Sequence, residues 1–237
     1  MNKKQFEAVF AKFNRGEYGD VIEAIQSSGK SNDFDLLNLE SASWSLLGKY
    51  DNAKTAFLKA LKIKPNDFGV RYNFAKLEKL HGSLIVAEEM FQKLSLDFPL
   101  NEQVLIELGV LASSRGESRF AEECFRKSLA LKPSHIVAAK NLSTLLTHRG
   151  DFNAALNVFD DHCFDDNVSA ILQRAAIYQL ACRHIEAEKL FLSLFCDDAL
   201  KLLSDEEHVS FYTNYGGLLV EIGRASEAEA LYKKAIS

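Results

Sequence analysis

The sequence predicts an all-α chain built from repeated antiparallel helical hairpins. Residues of one type recur every 34 positions, apolar residues follow helical spacing, and the 237 residues include only 3 prolines. A fixed period of this length indicates a repeat architecture. One hairpin cannot bury its apolar face alone, so neighbouring hairpins are expected to stack.

Five sets of residues carry the period. They are Ala53, Ala87, Ala121 and Ala155; Phe57, Phe91, Phe125 and Phe159; Gly48, Gly82, Gly116 and Gly150; Ser41, Ala75, Gly109 and Ser143; and Pro65, Pro99 and Pro133. A glycine commonly ends a helix in the left-handed conformation, and a proline cannot continue one. Each unit is therefore predicted to hold a first helix, a turn with glycine, a second helix and a closing turn. Small residues are expected where two helices cross, and the phenylalanines between neighbouring hairpins.

Seven units account for the chain in order. The first is diverged and keeps only Gly16, Tyr18 and Ile25 of the pattern. The other six are clear. The predicted boundaries are 1–33, 34–67, 68–101, 102–135, 136–167, 168–208 and 209–237.

The sixth unit departs from the rule. It has Cys182 at the glycine position and a longer connection to the seventh unit. Ser204 followed by Glu207 makes a capping box, which predicts an elongated helix beginning near Asp205. This insertion is either drift in a tolerant connection or a local change of pitch that shapes a binding site.

The pattern resembles the tetratricopeptide repeat family, whose repeats are 34-residue helical hairpins. The match is clearest in residues 107–133, where the family's hallmark slots hold Leu108, Gly109, Gly116, Ala121, Phe125, Ser128 and Pro133. The resemblance implies a single domain over 1–237, a right-handed superhelix of about seven hairpins. It also implies binding of a protein or peptide. The family's partners are diverse, so the fold does not specify one.

Composition excludes several other classes of function. The net charge of -5 gives no broad basic surface, so we expect no nucleic-acid partner. Apolar stretches are short and interrupted by charges, so we expect no membrane partner. The four cysteines show no CxxC spacing, which indicates reduced thiols and a cytoplasmic protein. No GxSxG, P-loop, HExxH or dinucleotide-binding motif occurs, so we expect no enzyme and no cofactor.

The resemblance also implies where a ligand would bind. In this family the second, fifth, sixth, ninth and twelfth residues of each repeat reach a concave groove lined by the first helices. The candidate binding residues are therefore Arg71, Tyr72, Asn73, Lys76, Lys79, Lys140, Asn141, Thr144, His148 and Asn214. Further groove positions are Ile106, Glu107, Val110, Ser113, Thr147, Thr213 and Gly217.

Two chemical interpretations of these positions stay open beside a purely structural one. Asn73, Asn141 and Asn214 share one slot, and an amide can donate to and accept from a peptide backbone at once. This series resembles the asparagine ladder of O-linked N-acetylglucosamine transferase, although Glu107 and Gln173 interrupt it. The cations among the candidates instead suit an acidic peptide or a free carboxylate. The residue set of the family's carboxylate clamp is not in register, which disfavours chaperone tails.

A cluster near residue 160 has the composition of a metal site. It comprises Asp160, Asp161, His162, Cys163, Asp165 and Asp166. Metal ligands must converge on one point, whereas neighbours on a helix point away from each other. We therefore expect no metal here.

Two alternatives to a free interaction module follow from the end of the sequence. The chain stops inside the second helix of the seventh unit, and a solenoid needs a polar cap. We therefore expect the N-terminal part of a longer protein, such as the recognition arm of a transferase-type enzyme. The other alternative is self-association through an open C-terminal end, which Leu218, Leu219 and Leu231 would help to form.

Overall fold

The computed structural model describes residues 3–29, 32–162, 164, 167–195 and 200–236, and within them it contains helices and no strand. Fourteen helices follow one another in this part of the chain. They are α1 (Lys3–Asn14), α2 (Tyr18–Ser27), α3 (Phe34–Leu46), α4 (Tyr50–Ile63), α5 (Phe68–His81), α6 (Leu84–Asp97), α7 (Glu102–Ser114), α8 (Ser118–Leu131), α9 (Ile136–His148), α10 (Phe152–Asp160), α11 (Val168–Leu180), α12 (His184–Leu194), α13 (Asp205–Glu221) and α14 (Ala225–Ile236). The predicted fold class, an all-α solenoid of helical hairpins, is confirmed.

The chain divides into two compact units, Met1–Leu111 and Ala112–Ser237, with the boundary inside α7. In the first unit, α1 packs on α2, α3 on α4 and α5 on α6. In the second unit, α9 packs on α10, α11 on α12 and α13 on α14. Each unit therefore contains a run of consecutive hairpins.

The alanine and phenylalanine registers form the core. The four alanines of the register are fully buried, and the four phenylalanines are at most 1% exposed. Phe57 stacks on Phe74 of the next hairpin with ring centroids 5.5 Å apart. Burying one such side chain contributes about 1.5–3 kcal/mol, so the period is set by packing.

Polar caps explain where the first helices begin. The Asp33 carboxylate accepts hydrogen bonds from the N–H groups of Asp35 and Leu36, at 3.1 and 3.3 Å. Asp67 and Asn101 cap α5 and α7 in the same way, and the three caps are 34 residues apart. Each cap satisfies helix N–H groups that have no partner inside the helix and contributes about 1 kcal/mol.

The turn glycines behave as predicted at three positions out of four. Gly48, Gly116 and Gly150 have φ values of 68°, 78° and 86°. Gly82 is different, because its φ is -114°. The prediction of a left-handed glycine is wrong there. A Cβ on residue 82 would lie 2.1 Å from Oε2 of Glu78, so this position needs glycine for space.

Glu78 explains this exception. The residue is 1% exposed, and Lys54 approaches its Oε1 to 3.0 Å. The Tyr50 hydroxyl lies 3.0 Å from both of its carboxylate oxygens, and Ser83 N–H donates to Oε2 at 3.2 Å. A buried carboxylate needs such partners, so the glycine makes room for a fully hydrogen-bonded charge.

The irregular sixth unit contains the predicted capping box. Ser204 Oγ accepts a hydrogen bond from Glu207 N–H at 3.3 Å, and Ser204 N–H donates to Glu207 Oε2 at 3.1 Å. The helix that follows, α13, begins at Asp205 and has 17 residues, more than any other described helix. The predicted elongated helix is therefore confirmed.

One expectation about the last hairpin is wrong. Leu218, Leu219 and Leu231 are 0%, 2% and 6% exposed, so they do not form an open apolar end. They belong to a buried cluster that also contains Phe191 and Phe211. The long α13 supplies this cluster with Phe211, Tyr215, Leu218 and Leu219 at helical spacing, and this is why the leucines face inward.

Replacing Cys182 with glycine should stabilise the protein. Cys182 has φ 56°, the only positive φ of a non-glycine residue in the described part of the chain. A side chain in this conformation costs about 1–2 kcal/mol, and glycine would remove this cost from the folded state. Part of the gain is lost again because glycine gives the unfolded chain more conformational freedom. We expect C182G to raise the free energy of unfolding by about 0.5–1 kcal/mol in urea denaturation. C182A removes the thiol but keeps Cβ, so it should leave stability unchanged. Equal stability of C182G and C182A would contradict the prediction.

Candidate functional site

The first helices of the first unit form a continuous face. α3 lies beside α1 on one side and α5 on the other, and we call the surface of these three helices the first-helix face. A cavity of about 260 Å³ opens on it. The cavity is lined by Phe6, Phe10, Phe13, Asp35, Asn38, Leu39, Ala42 and Asn73.

Three phenylalanines of α1 make one wall of the cavity. Phe6 and Phe10 stack with centroids 6.3 Å apart, and Phe10 and Phe13 stack at 6.5 Å. Phe10 is 46% exposed. A stacked aromatic surface that is left open to water is suited to contact with another apolar group.

Asn38 also lines the cavity and carries a buried polar atom. Its Oδ1 is buried and has no hydrogen-bond partner among the described residues. An unsatisfied buried acceptor costs about 1–3 kcal/mol. The Asn38 backbone carbonyl, in contrast, accepts a hydrogen bond from Ser41 Oγ at 2.8 Å. The unpartnered atom is therefore the side-chain oxygen, which is shielded from solvent.

Sequence reasoning missed most of this cavity. Asp35, Asn38, Leu39 and Ala42 are the second, fifth, sixth and ninth residues of the unit 34–67. These are the positions that the family resemblance assigns to the groove, whereas the predicted candidates begin at Arg71 in the next unit. Of the candidate residues, Asn73 alone lines the cavity.

Tyr72 and Lys79 turn toward α7 and meet Glu107. The Tyr72 hydroxyl donates to Glu107 Oε1 at 3.2 Å, and Lys79 Nζ forms an ion pair with Glu107 Oε2. Glu107 is 8% exposed. Burial, and secondarily the Glu107 carboxylate, raises the pKa of the Tyr72 hydroxyl, which therefore stays protonated and donates. These three groups form an internal network that satisfies a buried charge.

Arg71 is also paired. Its guanidinium donates to Asp97 Oδ2 at 2.6 Å and lies 6.0 Å from the centre of the Phe98 ring. Lys76 Nζ lies 5.8 Å from the centre of the Tyr72 ring. Arg71 and Lys79 thus both form ion pairs with acidic residues of the first unit.

The remaining candidates lie in the second unit. Asn141 donates from Nδ2 to the carbonyl of Val137 in its own helix at 2.8 Å. Thr144 Oγ1 donates to the Lys140 carbonyl and accepts from Gln173 Nε2 at 3.2 Å. His148 is exposed at the last position of α9, and Asn214 is half-buried in α13. The predicted asparagine series is therefore divided, with Asn73 in the first unit and the other two in the second.

The cluster near residue 160 is only partly described. Cys163, Asp165 and Asp166 lie outside the described residues, and Asp160 pairs with Arg174 at 3.1 Å. Within the described ranges, no group of three or more His, Cys, Asp or Glu side chains converges as metal ligands would. No helix in those ranges is long and apolar enough to cross a membrane.

Comparisons with known proteins agree with this architecture. A family model for the tetratricopeptide repeat matches residues 45–67 and 209–237. A tetratricopeptide repeat protein from Parabacteroides merdae aligns with a TM-score of 0.74 and 17% identity over 98% of this chain and 91% of that one. The chain thus contains tetratricopeptide repeats at these two places and shares the fold of tetratricopeptide repeat proteins.

Two further solved structures have the same fold. The type IV pilus biogenesis factor PilW aligns with a TM-score of 0.67 and 18% identity over 86% of this tetratricopeptide repeat protein and 100% of PilW. MamA from Desulfovibrio magneticus RS-1 aligns with a TM-score of 0.58 and 20% identity over 68% and 92% of the two chains. No curated protein matches the sequence. At these identities the likeness extends to the fold alone.

A second polar network joins three first helices of this tetratricopeptide repeat protein within its second unit. Lys140 Nζ on α9 donates to Ser169 Oγ on α11 at 2.8 Å and lies 3.2 Å from Glu207 Oε1 on α13. Ser169 Oγ donates to the same Glu207 oxygen at 2.5 Å. Burial acts to raise the pKa of Glu207, but hydrogen bonds from Ser169, Ser204 and Lys140 outweigh it and lower the pKa to about 2.

Glu207 should make the stability of the repeat protein depend on acidic pH. Its pKa is about 2 when folded, against about 4.3 for an unfolded glutamate. A lowered pKa stabilises the folded state above the unfolded value, and this contribution is lost as pH falls toward 2. We expect E207Q to lower the melting temperature at pH 7, and the difference from wild type to shrink between pH 4.5 and 2. E206Q, at an exposed acid in the same turn, is the control. A difference independent of pH would contradict the prediction.

Proposed function

We propose that this tetratricopeptide repeat protein is a non-catalytic interaction module that holds a polypeptide segment of a partner on the first-helix face. The supporting observation is the cavity on that face, which combines open aromatic rings with the amides of Asn38 and Asn73. Apolar surface with a few placed polar groups is the usual composition of a binding site. Tetratricopeptide repeats in general mediate protein interaction, and this agrees with the proposal.

The charges of the first unit favour a neutral segment over an acidic one. Arg71 and Lys79 already pair with Asp97 and Glu107. An acidic peptide would have to replace these carboxylates, and breaking a partly buried pair is costly unless the new partner fits equally well. Of the predicted cations in this unit, Lys76 alone has no carboxylate partner in the described structure. We therefore assign binding to the amides and the aromatic wall.

The buried thiol of Cys124 is not suited to nucleophilic chemistry. Burial raises the pKa of Cys124 to about 11, so its thiol stays protonated at neutral pH and is a poor nucleophile. Cys124 and Cys182, the two cysteines among the described residues, form no disulfide with each other. We include a cytoplasmic location in the proposal because the four cysteines of the sequence are scattered and show no CxxC spacing.

Peptide selection against the whole chain tests the proposal. A random heptapeptide display library should yield binders whose affinity, measured by isothermal titration, falls about tenfold in N73A, because one desolvated amide contact is worth about 1.4 kcal/mol. The matched control is N52A, at an exposed asparagine on the second helix of its hairpin. Binders that respond to neither variant, or equally to both, would place binding away from the first-helix face.

A further inference from the structure

The first unit has a second cavity, which lies between its second helices α2 and α4. We call it the α2–α4 cavity, and its volume is about 290 Å³. Glu40 and Trp44 of α3 line it, and because they are four positions apart they lie on one side of that helix. Asn38 and Ala42, which line the cavity on the first-helix face, lie on a different side of α3. The two cavities therefore offer separate surfaces to a ligand.

Glu40 brings a negative charge to the wall of the α2–α4 cavity. Its Oε1 accepts hydrogen bonds from Gln26 Nε2 at 3.2 Å and from Trp44 Nε1 at 3.4 Å. All three residues line the cavity, so the carboxylate lies at the wall that they share. Both donors are neutral, and Asp51 of α4 adds a second carboxylate to the lining. Neither Glu40 nor Asp51 forms an ion pair in the described part of the chain, which leaves both carboxylates available to a cationic ligand.

Trp44 makes the same wall attractive to a cation. The face of an aromatic ring attracts positive charge, and tryptophan does so more strongly than tyrosine or phenylalanine. Trp44 is half-buried, so a cation against it would lose part of its water and would need the two carboxylates as partners. The lining has one cation of its own, Lys59, which is exposed and forms no ion pair with a described residue. Two carboxylates against one ammonium group leave the lining with a net negative charge.

A guanidinium group suits this lining better than an ammonium group. It is planar, so it can stack on an aromatic ring, and its five N–H donors match carboxylates in pairs. Glu40 Oε2 accepts no hydrogen bond within the described residues and keeps its capacity as an acceptor. Thr55 Oγ1, which donates to the Asp51 carbonyl at 2.8 Å, also keeps a lone pair for an incoming donor. An ammonium group is more strongly hydrated and would lose more on leaving water.

The size of the cavity indicates the end of a side chain rather than a whole small molecule. Its volume of about 290 Å³ lies just below the roughly 300–1,000 Å³ typical of small-molecule sites, and its α4 residues Asp51, Thr55 and Lys59 are exposed. A free guanidino compound would therefore keep much of its surface in water. A polypeptide that carries the group can add contacts along α2 and α4.

We propose that the α2–α4 cavity binds an arginine side chain of a partner polypeptide, with the guanidinium plane against Trp44 and its N–H groups directed to Glu40 and Asp51. The inference goes beyond the proposed function, because it adds a basic partner segment on a different side of α3 from the cavity on the first-helix face. Lys59 competes with the arginine for the same carboxylates.

The single tryptophan of the chain, Trp44, reports occupancy of the cavity through its fluorescence. Titration of the full chain with Ac-Gly-Arg-Gly-NH2 should change this emission with a dissociation constant of about 1 mM, as expected for so few contacts. The citrulline tripeptide keeps the shape without the charge and should bind at least about tenfold more weakly. The lysine tripeptide and methylguanidinium should each bind at least about threefold more weakly, because one lacks the planar group and the other lacks the polypeptide.

Three variants test the charged residues of the cavity. E40Q and D51N each remove one charge and keep the shape of the side chain, so each should weaken binding of the arginine tripeptide about fivefold. K59Q removes the competing cation and should strengthen binding about twofold to threefold, a gain that damage to the fold would not produce. E23Q, at an exposed acid of α2 outside the lining, is the matched control and should change nothing. Thermal melting followed by circular dichroism checks that the variants fold.

Several results would overturn the arginine site. They are equal binding of the arginine and citrulline tripeptides, equal binding of the arginine and lysine tripeptides, unchanged affinity in both E40Q and D51N, or weaker binding in K59Q. Equal affinity of methylguanidinium and the arginine tripeptide would assign the cavity to small guanidino compounds and overturn the polypeptide partner. N73A, which tests the first-helix face, should leave the affinity of the arginine tripeptide unchanged, so the two proposals can fail separately.

Discussion

The contact on which the fold depends is the packing of one alanine and one phenylalanine from each of the second to sixth hairpins. Phe57 and Ala53 are completely buried, and so are their equivalents 34 residues further along the chain. Since no hairpin has a core of its own, a change at these positions would affect two hairpins at once. The remaining positions of the first helices are free of this constraint, so binding chemistry can vary there without loss of the fold.

Charges in this protein mainly join helices. Arg71 pairs across its hairpin with Asp97, Lys79 reaches the next first helix at Glu107, and Lys140 reaches across α11 to α13. Each pair involves a partly buried side chain whose partner would be costly to remove. These pairs help fix the spacing of neighbouring helices. The cavity on the first-helix face is lined mainly by uncharged groups, namely amides, aromatic rings and aliphatic side chains.

The sequence predicts correctly those features in which the residue type alone determines the local structure. The buried registers, the turn glycines at φ above 60° and the capping box at Ser204 all follow from local rules. It failed where the partner is distant in sequence. Glu78 meets Tyr50 from 28 residues away, and this contact decides why residue 82 is glycine. The period of the repeat does not specify which side chains satisfy a buried charge.

The environment of Asn38 also depends on residues that are distant in sequence, so the sequence alone did not predict it. An asparagine at the fifth position of a repeat is unremarkable in the sequence, and its environment depends on α1, from the most diverged unit. The first unit supplies Glu78 with three donors but leaves Asn38 Oδ1 with none among the described residues. The Glu78 carboxylate is fully hydrogen-bonded, whereas the unpaired Asn38 Oδ1 lowers the stability of the fold. Local departures from good packing tend to coincide with functional sites. The aromatic wall of α1, where Phe10 stays exposed, is a second such departure in the same part of the first unit.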